Sequence, residues 1–274
     1  MRALILACIG ASLAACTIPM DRVTQLAGDA GFTTEVVQGG AFRHRVYRNG
    51  APASPEGTHI YIEGDGTPYV KRAFVTSDPT PRRPLMLQLM RLDPYASVYV
   101  GRPCYLGLAK DGACTPEYWT LGRFSEEVVQ SLARVIEAER ARGSSRNVVL
   151  FGHSGGGALA VLLAARLSDV TRVVTIAGNL DTERWTKLHH YTPLARSLNP
   201  AAVTDKASHA TMLHLAGGAD KNIPPSIMED AARAQRSPLI VIPGNTHVCC
   251  WETIWRDVVE GRPVTTPSAL EPQR

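Results

Sequence analysis

Asn147-Val148-Val149-Leu150-Phe151-Gly152-His153-Ser154-Gly155-Gly156 is the stretch on which the reading of this chain turns. Asn147–Phe151 reads as a strand, apolar without a break from Val148 onward. Unbroken rather than alternating apolarity marks a parallel strand covered on both faces. The strand runs into Gly152-His153-Ser154-Gly155-Gly156, a Gly-x-Ser-x-Gly pentapeptide, and a small-residue helix over Gly155–Leu167 leaves it. Strand, sharp turn and helix in that order lift a serine hydroxyl clear of a sheet, on a strained backbone, with the positive end of the helix behind it. Gly152 and Gly156 fit the turn because a Cβ there would strike the neighbouring strand or helix.

Outward from the pentapeptide, strands and helices alternate. Upstream, Thr34–Val37 and Phe42–Tyr47 read as a hairpin around Gly39-Gly40, His59–Ile62 as a short strand, Pro84–Leu92 as a short helix, and Ser97–Val100 as a strand. Arg123–Arg142 carries the clearest helical period, with Phe124, Val128, Leu132, Val135 and Ile136 on one face. Glu126 and Glu127 open it, Arg140 and Arg142 close it, and Gly143 ends it. Downstream come strands at Arg172–Ala177, Thr211–Ala216 and Leu239–Ile242, and helices at Pro224–Arg236 and Trp251–Glu260. Such alternation predicts an α/β fold with a mainly parallel central sheet flanked by helices. Only residues 178–210 break the rhythm, and they read as a short cap insertion. The expected layout is a linker and hairpin over 16–57, one domain over 58–262, and a Pro-rich disordered tail over 263–274.

A serine hydroxyl needs a base, and the base needs an acid that fixes its tautomer. Gly244-Asn245-Thr246-His247 follows the last strand, and Gly217-Gly218-Ala219-Asp220 follows the strand before it. With Ser154 these motifs resemble, from Ile60 to about Trp255, a serine hydrolase of the α/β-hydrolase fold. Tyr61-Ile62-Glu63-Gly64-Asp65-Gly66, Gly101-Arg102-Pro103-Cys104 and Arg123-Phe124-Ser125-Glu126 also resemble a little-characterised group of bacterial exported hydrolases. The resemblance implies Ser154 as nucleophile, His247 as general base and Asp220 as orienting acid. Asp181 and Asp205 are the runners-up for the acid.

The first oxyanion donor is then the Gly155 N–H. The second comes from the turn Glu63-Gly64-Asp65-Gly66, with Asp65 favoured and Gly64 or Gly66 as alternatives. This Glu-Gly turn stands where better-known esterases carry His-Gly. His153, at the variable position of the pentapeptide, is a candidate pocket residue, as are Trp185, His189 and Tyr191 in the cap, with His190 beside them. The remaining histidines read as surface or packing residues.

The expected reaction is cleavage of a small-molecule carboxylic ester through an acyl-enzyme, without cofactor or metal. Three alternatives stay open: a serine peptidase or amidase in which Glu63 or Asp65 holds a substrate amine, acyl transfer, and a non-catalytic binding lipoprotein on the same scaffold. There is no Cys-x-x-Cys and no His-x-x-x-His to suggest zinc. With 45% hydrophobic and 20% charged residues, collagen, coiled coil and wholesale disorder are excluded. The net charge of +4, with no basic cluster interleaved with aromatics, argues against a nucleic-acid partner.

Residues 1–15 read as a secretory signal: Arg2, then an apolar run ending in Leu13-Ala14-Ala15 before Cys16. This string resembles a lipobox, so Cys16 is the expected lipidation site. Thr17 rather than Asp follows it, which favours an outer-membrane lipoprotein facing the periplasm. Apart from Cys8 and Cys16, four of the six cysteines remain as structural candidates. In an exported protein an even number suggests disulfides. Cys104–Cys114 closes a short polar loop and is the favoured pair. Cys249 and Cys250 are either joined in a vicinal bridge or both free.

Overall fold

The computed structural model describes residues 19–71, 73–207 and 209–264. The expected signal 1–15, Cys16 and tail residues 265–274 lie outside the described residues. The chain begins with helix α1 (Pro19–Asp29), then strands β1 (Thr33–Gln38), β2 (Arg43–Arg48) and β3 (Thr58–Ile62), and a small hairpin, β4 (Tyr69–Val70) with β5 (Phe74–Val75). Helix α2 (Leu85–Met90), β6 (Ser97–Val100), α3 (Glu126–Arg142), β7 (Val148–His153), α4 (Gly155–Ala164) and β8 (Val170–Ile176) follow. Helix α5 (Thr182–Leu188), β9 (Thr211–Gly217), α6 (Pro225–Ala234), β10 (Leu239–Ile242) and α7 (Glu252–Val259) complete the order.

Eight strands form one sheet in the order β1-β2-β6-β3-β7-β8-β9-β10. β1, β2 and β6 pair antiparallel, and every pairing from β6 to β10 is parallel. Parallel strands run in one direction, so the turns at their C-terminal ends share one rim of the sheet. Central strands β3 and β7 are buried throughout, as a sheet covered on both faces requires.

Helix α3 starts where the serine at 125 caps it, its side chain accepting the Val128 N–H. Its buried stripe includes Val128, Leu132, Val135 and Ile136. Each such side chain contributes about 1.5–3 kcal/mol on leaving water. Helix α4 is buried on every side, which explains its small apolar residues and its lack of an amphipathic stripe.

Helix α1 stands within 16–57, where the sequence predicts only a linker and hairpin. It buries Val23 and Ala27, one turn apart, and Val23 packs in the aromatic-rich cluster that also holds Leu85, Leu89 and Trp119. The 178–210 segment contains α5 and a 3-10 stretch over Pro200–Ala207. Cys104 is bridged to Cys114, and Cys249 to Cys250, which resolves the second pair in favour of the vicinal bridge.

Candidate active site

Ser154 stands between β7 and α4 at φ 53° and ψ −118°, a conformation non-glycine residues avoid. The turn is tight enough that a Cβ at Gly156 would lie 2.1 Å from the Ile62 carbonyl oxygen. Only glycine lets α4 start this close to β3.

The rim brings three distant residues to one line. Ser154 Oγ lies 3.1 Å from His247 Nε2, and His247 Nδ1 lies 2.8 Å from Asp220 Oδ2. Asp220 follows β9 and is buried; its Oδ1 accepts the N–H groups of Asn222 and Ile223. Burial pushes its carboxyl up, but the bond to His247, the charge of that ring and the two backbone donors hold it below the usual range. Burial pushes His247 below an ordinary histidine, against the opposing pull of Asp220. A neutral imidazole with Nδ1–H toward Asp220 leaves Nε2 free to accept the serine proton. Asp181 is engaged elsewhere, capping α5 by accepting the N–H groups of Glu183 and Arg184. The Asp205 side chain lies outside the described residues.

The turn after β3 packs against Ser154, since a Cβ at Gly64 would sit 3.3 Å from that of Ser154. The Gly64 N–H bonds its neighbour's Glu63 Oε1. Among the described residues the N–H groups of Asp65 and Gly155 have no acceptor, as an oxyanion site requires.

The Asp65 side chain neither caps the turn nor lines the pocket as a free acid. Its Oδ1 meets Arg102 Nη1 at 2.5 Å and its Oδ2 meets Arg123 Nη1 at 2.7 Å, while Tyr105 Oη donates to its carbonyl at 3.1 Å. Burial opposes the charge, but Arg123 and Arg102 bring the Asp65 carboxyl down to about 2. Asp65 Oδ1 also fills the place a Cβ at Gly155 would need, 2.0 Å from it. Glu63 is buried, with its oxygens on the Gly64 and Met86 N–H groups. Both acids line the cavity and are already engaged by other donors.

A cavity of about 770 Å³ opens over Ser154, lined by His153, Trp185 and Tyr191 among others. That volume suits a small organic ligand, for which about 300–1,000 Å³ is usual. His153 Nε2 bonds the His247 carbonyl at 2.8 Å and so braces the loop that carries His247. His189 corrects the expectation: it does not line the cavity. It stands behind the wall, bonded to the Asn222 carbonyl and stacked on Tyr191. Asn222 is the residue sequence reasoning missed. Its Nδ2 lies 3.1 Å from His247 Nε2, and its Oδ1 accepts from Trp185 Nε1 at 3.4 Å. An Asn two residues past a strand-end Asp was the only signal.

Among solved structures, Est1E from Butyrivibrio proteoclasticus aligns with TM-score 0.57 at 14% identity, over 83% of this chain and 95% of its own. The Pyrococcus furiosus esterase Pf2001 aligns with TM-score 0.58 at 11% identity, over 85% and 91%. The chain has the α/β-hydrolase fold. A bacterial membrane phospholipase A, described as a virulence factor, aligns onto the same fold with TM-score 0.58 at 18% identity, over 88% of this chain and 91% of its own. No family model matches the sequence, and no curated protein does. The likeness is therefore one of α/β-hydrolase architecture, and chemistry has to be argued from the rim residues.

Proposed function

We propose that the chain is a serine hydrolase that cleaves carboxylic esters. The observation that carries this is the unbroken hydrogen-bond line Ser154–His247–Asp220 at the floor of the cavity. Ser154 Oγ attacks the ester carbonyl carbon as its proton passes to His247 Nε2. The imidazolium is stabilised by Asp220. Negative charge gathers on the former carbonyl oxygen, which the Asp65 and Gly155 N–H groups receive. His247 then gives its proton to the departing alcohol. Water, deprotonated by the same nitrogen, releases the acid from the acyl-enzyme.

Esters are favoured over amides because both acids near Ser154 are already engaged, Asp65 by two guanidiniums and Glu63 by two backbone N–H groups. Fold neighbours include proteins described as esterases and as a phospholipase, which supports ester hydrolysis, and also two described as peptidases, so the test includes amides. The proposed setting is the bacterial envelope, with Cys16 as lipid anchor. Support comes from Leu13-Ala14-Ala15-Cys16 and from two disulfides, which suit an oxidising compartment. The test compares p-nitrophenyl acetate and butyrate with aminoacyl p-nitroanilides. Turnover of the esters is expected; turnover of the anilides alone would overturn the ester assignment.

A further inference from the structure

The β4–β5 hairpin carries apolar side chains that stand partly exposed among the described residues. Tyr69 is 36% exposed, Val70 40%, Phe74 68% and Val75 47%. A two-strand ribbon on its own is marginal in water, and this one pairs with no strand of the main sheet. Its neck is tied down: Thr76 N–H bonds the Pro68 carbonyl, and Trp119 Nε1 bonds the Thr76 carbonyl. The ribbon is thus a held ledge, and it stands at the lip of the catalytic cavity, where Tyr69 and Ala73 join the lining. Exposed Tyr191 and Val248 continue the apolar rim around the same opening.

Charge accompanies this ledge. Between Thr67 and Pro84 the sequence has four cations and one acid. Lys71, Arg82 and Arg83 are exposed, and among the described residues none of them is in an ion pair. Arg82 and Arg83 line the cavity mouth. The one acid, Asp78, turns its Oδ1 to the Thr80 N–H.

We infer that the hairpin docks this chain on an anionic phospholipid surface, with Phe74, Val70 and Val75 entering the boundary of headgroups and acyl chains. Apolar side chains ringed by unpaired cations match that surface on both counts: the apolar groups leave water, and the cations meet phosphates. The same pose turns the cavity mouth toward the lipid. Docking does not depend on the ester chemistry, and the two are separable by experiment.

The test uses the full chain with Cys16→Ser, so that no acyl anchor forms, and adds Phe74→Trp or Leu92→Trp to the four native tryptophans, each signal being read as the difference from the Cys16→Ser parent. Leu92 is 46% exposed and does not line the cavity. Vesicles are phosphatidylcholine alone, or equal parts phosphatidylcholine and phosphatidylglycerol, each with brominated acyl chains. The expected result is quenching of the Phe74→Trp reporter, and not of Leu92→Trp, on the anionic vesicles. Phe74→Ser with Val75→Ser should weaken binding to those vesicles about tenfold while hydrolysis of a soluble ester stays unchanged, which also shows that the variant folds. Arg82→Gln with Arg83→Gln should erase the preference for anionic lipid. Equal quenching at both reporters, or none at either, overturns the inference. So does a blue shift of Phe74→Trp without vesicles together with a doubled mass, which would make the ledge a contact between two copies. Loss of soluble-ester hydrolysis in the unsubstituted chain would instead contradict the esterase reading and leave the quenching result to stand by itself.

Discussion

Asn222 Nδ2 lies 3.1 Å from His247 Nε2, the nitrogen that also faces Ser154 Oγ. Trp185 Nε1 donates to Asn222 Oδ1, so the amide is oriented with its N–H toward the imidazole. A donor aimed at Nε2 favours the neutral ring and opposes its protonation. Asn222→Asp would set a carboxylate there instead and favour the imidazolium. The acid limb of kcat/KM, expected below pH 6.5 because His247 is lowered from that value, should then move up by about one unit. A pH profile of ester hydrolysis checks this, and an unmoved limb would show that Asn222 does not act on the base.

Asp220→Asn keeps the size of the side chain but removes the charge that supports the imidazolium and fixes Nδ1–H. A fall in kcat of about 10⁴-fold is expected, with far-UV circular dichroism unchanged. Steady-state kinetics on p-nitrophenyl butyrate provides the measurement. A fall of less than about tenfold would mean another group orients His247.

Arg102 and Arg123 hold the Asp65 carboxylate from two sides, and Tyr105 holds its carbonyl. Together they fix the peptide whose N–H is proposed as the second oxyanion donor. Arg102→Met leaves Asp65 one guanidinium partner and lets the turn shift. Complete loss of one oxyanion donor costs about 3 kcal/mol of transition-state stabilisation. Partial loss should therefore lower kcat about 10- to 100-fold, with KM little changed. An effect confined to KM would assign these arginines to substrate binding instead.

Two buried histidines remote from the reaction set an acid limit on stability. His44 meets the Gly101 carbonyl and Ser131 Oγ; His214 meets Thr175 Oγ1 and Gln235 Oε1. Burial lowers both from 6.5 to about 4. The unfolded chain takes up these protons first, so stability falls as pH drops from 6.5 toward 4, by up to about 3 kcal/mol for each ring. Urea unfolding at stepped pH should show this slope, and His214→Gln should flatten it. A slope unchanged by that variant would rule out His214 as a source.

What could be read from the sequence was local or followed chain order. The strand before Ser154, the helix after it and the stripe from Val128 to Ile136 each carry their period within one segment. Asp220 and His247 were found because each directly follows a strand on the same rim. The Asp65 pairings with Arg102 and Arg123 span 37 and 58 residues, and no local pattern encodes such a contact. Helix α1 buries only Val23 and Ala27, too few apolar positions to announce a face. The β4–β5 strands are two residues each, below the length at which alternation is legible. Asn222 looks like any turn residue until the fold turns its amide toward the imidazole.

The most direct test of the central claim is the mass of the protein after exposure to a fluorophosphonate, in the unsubstituted chain and in Ser154→Ala. A single covalent adduct mapped to Ser154, absent from the alanine variant and matched by a fall in ester hydrolysis of about 10³-fold or more, is the expected result. Undiminished hydrolysis by Ser154→Ala, or an adduct on another residue that abolishes activity, would contradict the assignment of Ser154 as the nucleophile.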